Sequence, residues 1–142
     1  MFGRKFCMAL VACCVATSGH AFAGDYIVSY ALDAGGLNDS GTIHDCKYGQ
    51  SCVIKSEKLD LSISVDIYFP RRRTQKLIGI FAYGEKDRPD CCFFWDGESS
   101  AHFELQETFV KLGLYEGRAR KRDEFVVNAP LGVLYLQFSD MK

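Results

Sequence analysis

The chain has 142 residues, of which 48% are hydrophobic and 25% charged, and its formal net charge is −1. That composition excludes a disordered, collagen-like or coiled-coil protein, and the near-neutral balance lacks the basic excess of a nucleic-acid-binding domain. No apolar run approaches the roughly 18 residues of a membrane-spanning helix, and one domain is expected at this length.

Residues 1–23 read as an export signal. Arg4 and Lys5 supply a positive start, residues 6–17 an apolar stretch, and Ala21-Phe22-Ala23 the small-x-small pattern cut by a signal peptidase before Gly24. The leader is compact in the bacterial manner. Leu10-Val11-Ala12-Cys13 also resembles a lipobox, which would place a lipid anchor on Cys13. The apolar run ahead of that cysteine is short for such a route, so cleavage before Gly24 is the expectation. Removing the leader takes two of the 17 Lys and Arg residues and none of the 18 Asp and Glu, leaving a net charge of −3 over residues 24–142. It also takes three of the seven cysteines. Cys46, Cys52, Cys91 and Cys92 remain, an even set that in a small exported domain reads as disulfides.

Along the mature chain the dominant period is two, the signature of strands. The first candidate covers 26–32. Ala34-Gly35-Gly36 through Gly41 then reads as a loop, as does Tyr48 to Ser51. Leu59, Leu61, Ile63, Val65, Ile67 and Phe69 alternate with polar residues and predict a half-buried strand. Further strands are expected over 77–83, 91–95, 101–106, 109–115, 124–128 and 133–138. No helical period persists beyond two turns. About eight short strands separated by turn residues predict an all-β domain, an antiparallel sandwich or small barrel.

Cys46 and Cys52 enclose five residues including Gly49, the length of a hairpin loop, and a structural disulfide is expected there. Cys91-Cys92 is less ordinary: neighbours on a strand point to opposite faces, so pairing them requires a distorted peptide. Four cysteines permit three connectivities, and the sequence leaves all three open. A structural role for all four is the simpler reading, with a thiol-based redox or metal-handling role for Cys91 and Cys92 as the alternative. The aromatic run ending at Trp95 reads as a buried central strand, or as a binding rim beside Asp96 and Gly97.

Catalytic patterns are not apparent. His44-Asp45-Cys46 has the residue types of a nucleophilic site, but sequence neighbours cannot assemble a triad. His102 beside Glu104 reads as solvated surface. Asp60 and Asp66 share a face but lie ~20 Å apart along a strand, beyond the ~5–9.5 Å of a glycosidase pair. Two basic clusters stand against the acidic background: Arg71, Arg72 and Arg73 after Pro70, and Arg118, Arg120, Lys121 and Arg122. They suit an anionic partner, although charged turns also keep a β protein from pairing edge to edge.

The expectation is a non-enzymatic binding protein of the bacterial envelope, of inhibitor or immunity type. It would engage another protein or an anionic envelope component without a cofactor. A small cell-wall hydrolase is the third reading.

Overall fold

The computed structural model describes residues 24–70, 75–94, 98–117 and 130–141. The leader with Cys13, Arg71, Arg72, Arg73, Trp95, Arg118, Arg120, Lys121, Arg122 and the expected strand over 124–128 lie outside them. Nine strands and no helix are present among the described residues, so none of these is a helix that could cross a membrane.

The strands are β1 (Tyr26–Ala34), β2 (Leu37–Cys46), β3 (Cys52–Ser56), β4 (Leu61–Tyr68), β5 (Leu77–Gly84), β6 (Phe93–Phe94), β7 (Ser100–Glu104), β8 (Phe109–Tyr115) and β9 (Pro130–Ser139). They form two antiparallel sheets, one in the order β2-β1-β9-β8-β6 and the other β3-β4-β5-β7. The inner side chains of both join one buried cluster: Val28 and Leu32 of β1, Leu134 and Leu136 of β9, Ile63 and Val65 of β4, Ile78 and Ile80 of β5. The period-two pattern of β4 carries this directly. Leu61, Ile63, Val65 and Ile67 are at most 2% exposed, while Asp66 and Tyr68 point outward and are more accessible.

Two expectations need correcting at the start of the chain. Residues 37–41 are not a loop but the first half of β2. The chain reverses in two residues, Gly35 and Gly36, both at positive φ (60° and 79°), and Ala34 pairs with Leu37. A Gly-Gly hairpin turn of this kind matches the right-handed twist of the strands it joins.

Cys46 and Cys52, in turn, do not flank a hairpin. Cys46 ends β2 at the edge of one sheet and Cys52 begins β3 at the edge of the other. Their sulfurs lie at disulfide distance with the Cα atoms 5.3 Å apart, so the link ties the two sheets together. Cys91 and Cys92 are likewise at disulfide distance from each other, across a cis peptide bond.

The aromatic run after Cys92 also differs from expectation. Among the described residues β6 holds Phe93 and Phe94 alone and stands at the end of its sheet, next to β8. Both rings are nonetheless buried, and Phe93 stacks on Tyr115 of β8 at 5.5 Å.

Candidate functional site

The outer face of the four-stranded sheet carries a cleft. Its floor follows from register: Asp66 of β4 pairs with Gly79 of β5, and Gly79 pairs with His102 of β7. All three positions face outward, but the middle one has no side chain. Strands two places apart in a sheet are ~9.5 Å apart, so Asp66 and His102 face each other across a one-residue gap. The next outward positions along the strands are aromatic, with Tyr68 on β4 and Phe81 on β5. The result is a cleft of about 230 Å³ lined by Gly49, Ser51, Asp66, Tyr68, Gly79, Phe81 and His102.

A side chain at Gly79 would crowd its neighbours. A Cβ there would sit 3.1 Å from the His102 ring and 3.2 Å from the Phe81 ring. Phe81 meets His102 edge to face, with centroids 5.3 Å apart and planes at 81°, which fixes the imidazole over the glycine.

The rim on the β4 side comes from the crossing between the two sheets. Gly49, at φ 73°, donates its N–H to the Ile67 carbonyl (2.8 Å), and Tyr48 donates its N–H to Asp25 Oδ2 (3.0 Å). The loop is thereby fastened to both sheets. Tyr48 stacks on Tyr26 at 5.3 Å and meets Phe69 edge-on at 5.0 Å, and Lys76 donates a 2.8 Å hydrogen bond to its hydroxyl. This cluster closes one end of the core and gives the rim a rigid support.

Asp66 sets the electrostatics. Its Oδ1 is buried without a hydrogen-bond partner among the described residues. The buried hydroxyl of Tyr26 feels the Asp66 charge and the backbone of Ile67, with no hydrogen bond of good geometry to either. Burial first, and then the negative charge of Asp66, push the Tyr26 hydroxyl up to about 12.

Ser51, His102 and Asp66 have the residue types of a hydrolytic triad, yet no hydrogen bond joins any two of them in the structure. Nor is any group of three or more His, Cys, Asp and Glu placed to hold a metal ion among the described residues. Asp66 and His102 alone would leave a metal short of the ligands a protein site normally supplies. What the arrangement offers chemically is one carboxylate, one imidazole and two aromatic rings lining an open cleft.

The sequence reading named neither this cleft nor its residues as a site. His102, expected as plain surface, is one of its walls. Asp66 is another, whereas Asp60 lies outside β4 in a turn at φ 52°, where its carboxylate accepts the Asp87 N–H. His44 and Asp45 sit near the end of β2 beside the disulfide position.

Cys91 borders a separate shallow groove with Asp87, Arg88, Asp90 and Glu116. Cys91 is partly accessible, while Cys92 is 3% exposed. Arg88 is paired there with Glu116 at 2.8 Å.

Comparison with known proteins finds no protein-family model, no characterised protein and no solved structure that matches the chain.

Proposed function

We propose that this is an exported binding protein of the bacterial envelope, built as a β-sandwich and engaging another protein through the outer face of its four-stranded sheet. The observation that carries the reading is the cleft at Gly79 and the apolar side chains around it. Val53, Tyr68 and Tyr83 are 39%, 36% and 43% exposed on that face. Aromatic side chains left in water around a polar centre are typical of protein–protein contact surfaces. The scaffold suits the task, because both sheets bury their inner faces in one core while Val53, Tyr68 and Tyr83 stay accessible on the outer face of the four-stranded sheet. Arg71, Arg72 and Arg73 belong to the connection between β4 and β5, the two strands that bear most of the cleft. The proposal gives them an acidic region of the same partner.

A photo-crosslinking residue at Tyr83, compared with one at Ala31 on the outer face of the other sheet, tests the reading in cells that export the protein. The expected result is one discrete adduct from position 83, none from position 31, and loss of that adduct when Arg71–Arg73 are reversed in charge. The same adducts from both positions, or none from either, would refute the assignment of the face.

The accessibility of Cys91 favours a second reading, in which Cys91 and Cys92 act as a thiol pair in redox or metal handling. It predicts that mild reduction opens the Cys91–Cys92 pair and lets alkylation label Cys91 while Cys46 and Cys52 stay unlabelled. Equal resistance of both pairs to reduction argues against it.

A further inference from the structure

Resting on that reading of the face, we propose that the cleft over Gly79 is an anchor pocket for an arginine side chain of the partner. Three observations converge on this occupant. Scale comes first. At about 230 Å³ the cleft is smaller than the roughly 300–1,000 Å³ of small-molecule sites. It is matched to one functional group of a larger molecule.

Charge comes second. Asp66 is the ionisable acid of the cleft, and one of its carboxylate oxygens is buried with no partner among the described residues. Asp66 as a whole is only half-buried, so its carboxylate meets the cleft through its accessible part, and a cation entering there can pair with it. Among the described residues, Lys76 is engaged elsewhere: it donates to Tyr48 and lies over its ring at 4.9 Å. The net charge of −3 on residues 24–142 also favours a cationic ligand.

Shape comes third. With no side chain at Gly79 the His102 ring lies down over the strand, and it lines the cleft together with the rings of Tyr68 and Phe81. A planar guanidinium can donate to a carboxylate in its own plane while its face lies against an aromatic ring; an ammonium, a compact point charge, uses such a slot less fully. Arginine is also among the residues that most often anchor protein interfaces.

The experiment is a titration of the purified protein with Nα-acetyl-arginine amide, followed by amide chemical shifts. Nα-acetyl-citrulline amide serves as the uncharged isostere and methyl glucoside as a neutral polyhydroxyl probe. Arginine amide is expected to bind weakly and to shift Gly79, Phe81 and His102, with citrulline amide at least about ten-fold weaker. Asp66→Asn should remove that difference while keeping a dispersed spectrum. Should that variant fail to fold, Tyr68→Ala serves instead, since it removes a half-exposed ring from the cleft wall and should weaken arginine at least about ten-fold.

Equal response to arginine and citrulline overturns the proposal, as does a response confined to residues away from the cleft, a preference for methyl glucoside, or no response at all. The two readings fail separately. A crosslink from position 83 with no arginine response keeps the binding face and discards the pocket.

Discussion

Replacing Tyr26 by Phe separates two effects that the structure assigns to one hydroxyl. Tyr26 is 1% exposed, stacks on Tyr48 at 5.3 Å and tilts against Phe138 at 6.4 Å. Phenylalanine preserves those ring contacts and deletes only the hydroxyl. Because that hydroxyl makes no well-formed hydrogen bond and has the Ile67 backbone beside it, its removal at neutral pH should change stability by no more than about 1 kcal/mol in either direction.

The second effect appears at high pH. The native pKa is raised from 10.0 to about 12, so below pH 10 native and unfolded chains both keep the proton and the full stability is present. Between about pH 10 and 12 the unfolded chain releases the proton while the native one retains it. Stability must therefore fall, by about 1.4 kcal/mol per pH unit and roughly 3 kcal/mol in all. Burial also raises the Tyr30 hydroxyl, but that loss is common to wild type and variant and cancels in the comparison.

Urea unfolding at pH 7, 9 and 11.5, followed by fluorescence, reads both effects. The expected result is a variant within about 1 kcal/mol of wild type at pH 7 that loses about 2 kcal/mol less between pH 9 and 11.5. Parallel losses, or a variant more than 1 kcal/mol weaker at pH 7, would mean that Tyr26 has a polar partner and would refute the argument.

Three further outcomes are expected. Gly132→Ala should lower stability by about 3 kcal/mol or prevent folding, because a Cβ there runs into the Asp33 carbonyl and Ala34 of the neighbouring strand; a urea midpoint near wild type would contradict the β1–β9 register. Replacing Cys46 and Cys52 together by Ser should cost about 2 kcal/mol by the chain-entropy relation for so short a loop, measured against wild type in the same denaturant series. The intact mass of the exported protein should start at Gly24, and a lipid-sized increment on Cys13 would replace that processing route with anchoring.

Much of the fold could be read from alternation alone, and the parts that could not have a common cause. Strands β1, β4, β5, β8 and β9 bury alternate side chains in the core, so their sequences carry the period-two pattern. Strand β2 does not. It is an edge strand held to β1 by its backbone, and of its ten residues only Cys46 is buried. No apolar side chain needed to recur along it, and Asn38-Asp39-Ser40-Gly41 therefore looks like a loop. The signal that could have found it was the Gly35-Gly36 pair, which marks a two-residue hairpin and so requires a strand on its far side. Strand β3 was hidden differently. Cys52, Ile54 and Ser56 do point inward, but five residues are a short sample, and the cysteine spacing suggested a hairpin where the chain crosses between sheets.

The cleft was illegible for a stronger reason. Asp66, Gly79 and His102 are each unremarkable on their own strands: a polar outward residue, a small residue in an apolar run, a histidine beside a glutamate. They become a site only when β7 lies beside β5, and that adjacency skips β6, which crosses to the other sheet. Sequence order places Gly79 next to β4 through a hairpin, but nothing local predicts that the chain leaves the sheet at Phe93 and returns at Ser100. A one-residue slip of β7 would turn His102 inward and bring Ala101 to the gap, because side chains alternate in strict period two. The buried positions of Ala101 and of Ile80 opposite it hold the register against that slip. Core packing on the inner face of the sheet thus fixes which groups meet on the outer one.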